Sequence, residues 1–380
     1  MGCVNITYNY FRQASLLILF LVFSMGLWNQ DWTVFKLATV LKWPLLFLIS
    51  ILGISLNNFK FFKLKSLPSL FMSVFLIATT ISTFSSPYLN GEGIKFLFGY
   101  YFVFLLAFVL PIHRGEARIL VNAIGYVSIF IIMVSVFYVF SPDGWGGSRF
   151  RGVYANTNGL GSIGVIALIY SFMWNMYTKS NISKLFILLS SVSILATQSR
   201  GALLGLVAFI FLFCLLHRKI KIILLFSLVL SSVVLSYSAF INLVNPNYQS
   251  RSYELKLDSA RSKMLATHID KFMEKPLFGQ GMSVDENGGG RLPSELAYTD
   301  ILSFSGIIGF LGITLAIAFK LFESFRVALT SKLEFYDECA FYIFFCVIIM
   351  SLGDGYISNL GNPISLFYWM YLGLKVQSSN

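Results

Sequence analysis

The sequence predicts an all-α protein that crosses a membrane about twelve times and carries one large loop late in the chain. Hydrophobic residues make up 57% of the 380 residues and charged residues only 12%, whereas a soluble domain carries about 25% charged residues. The mean hydropathy of +0.75 agrees with this composition. Because so few charged side chains cannot cover a water-facing surface of this size, the composition excludes a soluble globular fold.

Each predicted span is a run of mostly apolar residues, and a helix needs roughly 20 of these to cross the hydrocarbon layer. The first run has no small-residue cleavage site after it and is expected to be retained as a span. Two runs, 185–198 and 201–216, are short and are separated only by Ser199 and Arg200. The predicted spans lie at 14–30, 34–56, 67–85, 94–112, 119–140, 156–177, 185–198, 201–216, 222–241, 298–319, 338–352 and 364–376.

Lysine and arginine are concentrated in every second gap between the spans, so the net charge of +11 reflects membrane topology and predicts no nucleic-acid partner. By the positive-inside rule these gaps are cytoplasmic, and both termini lie on the same side. The cationic gaps contain Lys60, Lys63, Lys65, Arg114, Arg118, Lys179, Lys184, Arg218, Lys219, Lys221, Lys320, Arg326 and Lys332. The gaps expected on the outer side are 86–93, 141–155, 199–200, 242–297 and 353–363.

The chain therefore divides into three parts: nine spans in residues 1–241, a large outer loop in 242–297, and three spans in 298–380. The loop is polar, has short helical runs around Glu254–Glu274, and breaks at Lys275-Pro276 and at 287–290. A long segment with its own local structure is more often functional than a simple spacer.

A polar segment with two arginines opens the sixth span. Arg149 and Arg151 precede a turn that contains Asn156 and Asn158. Guanidinium groups and the backbone N–H groups of a helix start together form an anion site. The alternative is that the arginines anchor the span at lipid headgroups and that three glycines allow close helix packing. These glycines are Gly159, Gly161 and Gly164.

Arg200 lies between the two short spans, in the sequence Thr197-Gln198-Ser199-Arg200-Gly201. An ionisable residue at the boundary of the lipid is costly, so it is a functional hypothesis by default. The alternative is an arginine that extends to the headgroups from a tight turn. Gly201 and Gly205 have the spacing of a close-packing pair.

The late loop supplies further cations and then carboxylates next to the following span. A cluster of fixed cations suits a diphosphate, and a neighbouring carboxylate suits general-base catalysis on a hydroxyl group. The alternative is that these residues are solvated loop charges, and we favour it for Arg251, Lys271 and Lys275. It explains Glu295 and Asp300 less well, because these two residues lie at the entry of an apolar span. The full set is Arg251, Arg261, His268, Lys271, Arg291, Glu295, Tyr298 and Asp300.

Several patterns that would indicate other chemistry are missing from the sequence. No glycine-rich loop with a following Lys-Ser or Lys-Thr is present, so nucleotide hydrolysis is not expected. Asp31 is isolated, the three histidines are scattered, and no paired acidic motif occurs in an outer loop. We therefore expect no catalytic metal and no cofactor.

Three segments together resemble the superfamily of O-antigen ligases and O-antigen polymerases. These are polytopic glycosyltransferases of the bacterial inner membrane that use undecaprenyl-diphosphate-linked sugars. The segments are RGVYANTNGLGSIG at 151–164, TQSRGALLG at 197–205, and the late loop, in which KPLFGQGM at 275–282 leads into SELAYTDILSFSGIIGFLG at 294–312. They follow the order of the family and extend from about the middle of the chain nearly to its end.

The resemblance implies metal-independent glycosyl transfer at the periplasmic face of the inner membrane. Arg200, Arg261 and Arg151 match arginine-bearing motifs of the family and would hold the diphosphate of the donor. Glu295 would accept the proton of the acceptor hydroxyl group, with Asp300 as the second candidate. The remaining residues expected to bind the diphosphate or the glycan are Arg149, Arg291, Asn156, Asn158 and Tyr298.

The identity of residue 295 favours a polymerase of surface polysaccharide over a ligase. Ligases that this chain resembles carry a His-Asn pair at the end of the loop, where this sequence has Glu295. A ligase that transfers glycan to lipid A core is the alternative, and a polysaccharide flippase or secondary transporter is an alternative of another class. The expected partners are the carrier-linked oligosaccharide and membrane lipid, and the resemblance also allows a chain-length regulator and a flippase.

Overall fold

A computed structural model describes residues 2–28, 33–56, 66–109, 116–218, 260–283, 296–330 and 333–376. Within these ranges twelve α-helices form nearly all of the regular structure, and seven are long and apolar enough to cross a membrane. The prediction of an all-α polytopic membrane protein is confirmed. The helices are α1 (Gly2–Met25), α2 (Thr33–Leu56), α3 (Leu67–Phe84), α4 (Gly91–Phe104), α5 (Glu116–Val136), α6 (Thr157–Thr178), α7 (Asn181–Thr197), α8 (Arg200–His217), α9 (Ala260–Glu274), α10 (Ala297–Thr330), α11 (Phe335–Met350) and α12 (Pro363–Gly373).

Polar side chains set the starts of several helices. The side chains of Ser66, Asn90 and Asn362 each accept a hydrogen bond from a backbone N–H in the first turn of α3, α4 and α12. These bonds satisfy N–H groups that have no partner inside the helix. Three neighbouring helices, α6 to α8, end at residues in the left-handed conformation, which stops the helix. These residues are Lys179, Gln198 and Arg218.

The two short predicted spans at 185–198 and 201–216 are separate helices, α7 and α8. The predicted span at 222–241 lies outside the described residues. The predicted span at 298–319 is part of a longer helix, α10, which bends at Gly306 (φ 63°, ψ −171°). Local sequence signals therefore identified the helices, while the bend and the added length of α10 depend on packing with other elements.

The gaps that were predicted to share the outer side contact one another. Arg149 in the gap 141–155 bonds to Thr197 beside the gap 199–200. The amide N–H of Asn90, next to the start of α4, donates to Ser283 Oγ of the late loop at 3.3 Å. Each contact therefore joins two of the gaps that were predicted on the outer side. We call the end of the bundle that carries these gaps, where α3 ends and α4 begins, the outer end.

The last helix, α12, forms the centre of the bundle. Every residue from Pro363 to Leu372 is buried. The ring of Trp369 stacks on Phe75 at a centroid distance of 5.8 Å and meets Tyr100 edge-on at 5.4 Å. A helix that is apolar on all sides is stable only when it is surrounded on all sides. Although it has only 11 residues, α12 therefore serves as core for the longer helices.

The segment between α11 and α12, residues 351–362, has little helical structure and enters the bundle. The Tyr100 hydroxyl donates to the Ser358 carbonyl at 2.8 Å, and Lys42 Nζ donates to the Gly361 carbonyl at 3.2 Å. Lys42 is buried near the middle of α2, with the Trp43 ring 5.6 Å away. Irregular backbone at membrane depth is tolerated where protein groups satisfy its carbonyls. Side chains of α2 and α4 do this here.

A second polar cluster lies at the opposite end of the bundle. Lys320 of α10 is fully buried, and its ammonium group contacts Glu323 Oε2 at 3.2 Å and the Leu374 carbonyl. His217 Nε2 lies 2.7 Å from Glu338 Oε1. Buried charges are retained only with partners of this kind. The contacts of Lys320 join α10 to the end of α12, and the contact of His217 joins the end of α8 to the first turn of α11.

Candidate functional site

A small hairpin precedes α6 at the outer end. Its strands, β1 (Trp145–Gly146) and β2 (Arg149–Phe150), are antiparallel, and Trp145 pairs with Phe150. The two rings pack at a centroid distance of 5.3 Å. Farther along the loop, Tyr154 is buried and shares a hydrogen bond of 2.8 Å with Ser24. Burial raises the pKa of the Tyr154 phenol far above its ordinary value, so Tyr154 stays neutral and fixes the loop against α1.

Arg149 links the hairpin to two helices. Its Nε donates to the Thr197 carbonyl at 2.8 Å, and its Nη2 donates to Asn158 Oδ1 at 2.7 Å. The carbonyl of Thr197 belongs to the last turn of α7, where helix carbonyls lack internal partners and attract cations. One guanidinium group therefore joins the hairpin, the start of α6 and the end of α7.

Asn158 extends this contact to the segment between α11 and α12. Its Nδ2 donates to Asp354 Oδ1 at 3.0 Å, and its carbonyl accepts from the Tyr356 hydroxyl at 3.2 Å. Asp354 is buried. We call Arg149, Asn158, Thr197, Asp354 and Tyr356 the Asn158 network. It brings together three parts of the chain that are distant in sequence, residues 149–158, the end of α7 and residues 354–356.

Arg200 lies at the edge of the Asn158 network. It is the first residue of α8, directly after Ser199, whose hydroxyl caps the helix by accepting from the Ala202 N–H at 3.3 Å. The side chain of Arg200 is exposed. The next residue, Gly201, packs so closely that a Cβ there would overlap Asp354 Oδ2. The first two residues of α8 are therefore an exposed arginine and a glycine that packs against a buried carboxylate.

Close packing accounts for only some of the glycines near these residues. A Cβ at Gly161 would lie 2.7 Å from Thr197 Oγ1, and one at Gly164 would lie 2.9 Å from Ile194. A Cβ at Gly159 would meet no atom within 4 Å. The packing interpretation therefore holds for Gly161 and Gly164, which allow α6 to approach α7, and does not explain Gly159.

Two other predicted residues lie in the same loop but have different neighbours. Arg151 Nε donates to the Asp143 carbonyl at 3.0 Å on the exposed side of the hairpin. Asn156 is exposed and caps α6 by accepting from the Asn158 N–H at 2.8 Å. Both residues border the Asn158 network at the outer end.

The predicted residues at the start of α10 are more enclosed than the sequence suggested. The Tyr298 hydroxyl donates to the Ile348 carbonyl at 3.1 Å. Asp300 is fully buried, and its carbonyl accepts from Ser303 Oγ at 2.8 Å. His268 of α9 lies 3.1 Å from the same Ser303 hydroxyl. This turn joins α9 to α10 inside the protein.

Three predicted residues cannot be placed relative to this site. Glu295 and Arg291 lie outside the described residues. Arg261 is the second residue of α9, and the structure describes its backbone but not its side chain. Their assignment to the site remains a prediction.

Sequence reasoning missed Asp354 and Tyr356. Asp354 is an ionisable residue between two glycines in a predicted outer gap, which is the same signal that identified Arg200. The sequence alone could have suggested Asp354 on that ground. Its contact with Asn158, 196 positions away, could not be predicted from local sequence.

Residues 185–314 match the family model of O-antigen ligase, Wzy_C. The matched region extends from α7 past the bend of α10 and includes Arg200 and Asp300. It contains two of the three segments that carry the resemblance, which is thereby confirmed, while the segment 151–164 lies outside the match. The match supports a glycosyl-transferring enzyme of the O-antigen polymerase or ligase kind in a multi-pass membrane protein. No curated protein and no solved structure matches the chain.

Proposed function

We propose that this protein is a polymerase of surface polysaccharide that joins oligosaccharide repeat units carried on undecaprenyl diphosphate, at the periplasmic face of the bacterial inner membrane and without a metal ion. One observation carries the proposal. Arg200, inside the region that matches O-antigen ligase, lies beside a polar network built from three distant segments at the outer end of the bundle.

The role of the arginines follows from the charge of the leaving group. The acceptor hydroxyl oxygen attacks the anomeric carbon of the donor, and the bond from that carbon to the diphosphate oxygen breaks. The electron pair of that bond stays on the diphosphate, where arginines stabilise the added negative charge. We assign this role to Arg200, whose side chain is exposed, with Arg151 and Arg261 as its partners.

Arg149 has a different role in this proposal. Its hydrogen bonds to Thr197 and Asn158 hold the turn between α7 and α8 in place. Asn158 in turn contacts the buried carboxylate of Asp354. We infer that the Asn158 network positions Arg200 and does not itself bind the diphosphate.

The proton of the acceptor hydroxyl group needs a base close to the reacting atoms. Glu295 is our candidate because it lies two positions before the first residue of α10. Asp300 is the second candidate, but it is fully buried and would reach a sugar only after the turn rearranged. Arg291 and Tyr298 are assigned to the glycan-binding surface around this turn.

The proposal is tested by the length distribution of polysaccharide in cells that carry Arg200→Ala, Arg200→Lys or Glu295→Gln. Loss of an electrostatic contact to the leaving group costs about 100-fold or more in rate, so we expect Arg200→Ala and Glu295→Gln to leave only single repeat units. Lysine cannot bind phosphate in a bidentate manner, so Arg200→Lys is expected to give short chains.

The matched control is Lys184→Ala, which removes an exposed cation whose partner is Asn181 in the first turn of α7. This variant is expected to give normal chains. Near-normal ladders from both Arg200→Ala and Glu295→Gln, at normal protein levels, would refute the proposal.

The second candidate function is a ligase that transfers finished glycan to lipid A core, since the matching family model is described as O-antigen ligase. The donor and its diphosphate would be the same, and only the acceptor would differ. Deletion of the gene distinguishes the two. A ligase mutant accumulates long polymer on the lipid carrier, whereas a polymerase mutant accumulates single repeat units.

A further inference from the structure

Helix α9 presents three different faces. The first packs against α10 and contains His268 and Lys271, which are both buried. The second is apolar and exposed, with exposures of 38% for Leu265, 47% for Ile269 and 68% for Met273. The third is exposed and charged. Its residues are Lys263, Asp270 and Glu274.

The apolar face forms a continuous line. Leu265, Ile269 and Met273 are spaced four residues apart, so their side chains lie one above the other along the helix. We call them the apolar line. Three large exposed apolar side chains in a row are costly in water. A helix of 15 residues is about 22 Å long and too short to span the membrane.

The apolar line leads to the lipid-facing surface of the spanning helices. The chain after α9 reaches Leu277, which is 59% exposed and whose carbonyl accepts from the Ile308 N–H of α10 at 3.3 Å. Directly below on α10, Leu311 and Leu315 are 49% and 38% exposed. Exposed apolar residues of a span therefore lie where the chain leaves α9 and meets α10.

A second contact fixes the position of the segment after α9 along the length of the bundle. The N–H of Met282 donates to Thr83 Oγ1 at 3.2 Å, and Thr83 belongs to the last turn of α3. The segment after α9 is thus bonded to two helices where they reach the outer end. Membrane-spanning helices end near the boundary between acyl chains and headgroups, so we expect this segment at that level.

We propose that α9 lies along the membrane surface at the outer end, with the apolar line inserted among the lipids at the boundary of headgroups and acyl chains. The apolar line lies between the face on α10 and the charged face. Protein therefore covers the first face of α9, lipid covers the apolar line and water covers the charged face. An amphipathic helix in the interface buries its apolar side by about 5–10 Å in this way. The inference does not depend on the proposed function, since it concerns lipid contact alone.

The experiment uses the full-length protein in nanodiscs of phosphatidylethanolamine and phosphatidylglycerol. Cys3→Ser removes one native thiol, and the remaining cysteines are buried. An environment-sensitive fluorophore is attached at Ile269→Cys or Met273→Cys. The matched controls are Lys263→Cys and Asp270→Cys on the charged face of the same helix. Quenching is measured with a lipid that carries a doxyl group near its headgroup and with iodide in the water.

We expect the labels at 269 and 273 to emit at shorter wavelength than the labels at 263 and 270. The doxyl lipid should quench the labels at 269 and 273 about threefold more strongly, and iodide should quench the labels at 263 and 270 more strongly. Iodide quenching at 269 and 273 equal to that at 270 would show that water covers the apolar line and would overturn the inference. Protection from both quenchers would show that protein covers it, from this chain or another copy, and would overturn the inference as well. Neither readout uses glycosyl transfer, so it cannot be confused with failure of the proposed function.

Discussion

Asn158 joins the hairpin, α6 and the segment before α12 because its side chain both donates and accepts. Its Oδ1 accepts from Arg149 and its Nδ2 donates to Asp354. Neither an acid nor an apolar residue could make both contacts. Two residues earlier, Asn156 has the simpler role of capping the helix. The two asparagines of one short motif therefore predict different effects of the same substitution.

We expect Asn158→Asp to destabilise the protein and Asn156→Asp to be nearly neutral. Aspartate at position 158 would place a carboxylate oxygen against Asp354 Oδ1, where the amide N–H now donates at 3.0 Å. Loss of this half-buried hydrogen bond, with the repulsion of two carboxylates added, costs about 2 kcal/mol. At position 156 aspartate caps a helix as well as asparagine does. Thermal unfolding in detergent measures both variants, and equal melting temperatures would contradict the assignment of Asn158.

Among the elements, α10 shows most clearly how packing determines shape. Its bend at Gly306 creates the space in which the chain after α9 packs against the helix, and the Leu277 carbonyl lies there. The backbone of Gly306 occupies a region that is essentially restricted to glycine. The bend joins α9 and the late loop to the spanning part of the molecule.

Gly306→Ala is expected to be strongly destabilising. The backbone strain alone costs about 1–3 kcal/mol, and the added Cβ would overlap the Leu277 carbonyl. Gly159→Ala is the control, because a Cβ there meets no atom within 4 Å. The measurement is the fraction of monodisperse protein after heating. Equal recovery of the two variants would show that the bend is not required.

The helices themselves could be predicted from sequence more completely than the site. Hydropathy identified α7 and α8 as separate helices because polar residues interrupt a long apolar run. Arg200 was identified by the same contrast with its apolar neighbours. The bonds of Arg149 to Thr197 and of Asn158 to Asp354 join residues 48 and 196 positions apart, and no local pattern encodes them. The bend at Gly306 likewise depends on the segment that packs into it.

At the scale of the whole molecule, the alternation of charged gaps predicts which end of the bundle faces outward. A cysteine at Leu352, an exposed residue after α11, is expected to react with a membrane-impermeant maleimide once the reagent reaches the periplasm. A cysteine at Arg218, at the end of α8, is expected to react only after the inner membrane is permeabilised. The reverse order of labelling would invert the topology and place the Asn158 network in the cytoplasm.

In the proposed function this molecule lengthens glycans while they remain on their lipid carrier. The most direct measurement supplies the purified protein, in nanodiscs, with repeat units linked to undecaprenyl diphosphate and no other acceptor. We expect a ladder of longer glycans on the carrier, free undecaprenyl diphosphate as the second product, and no ladder with Arg200→Ala. Single repeat units that stay unchanged, or that move only when lipid A core is added, would contradict it.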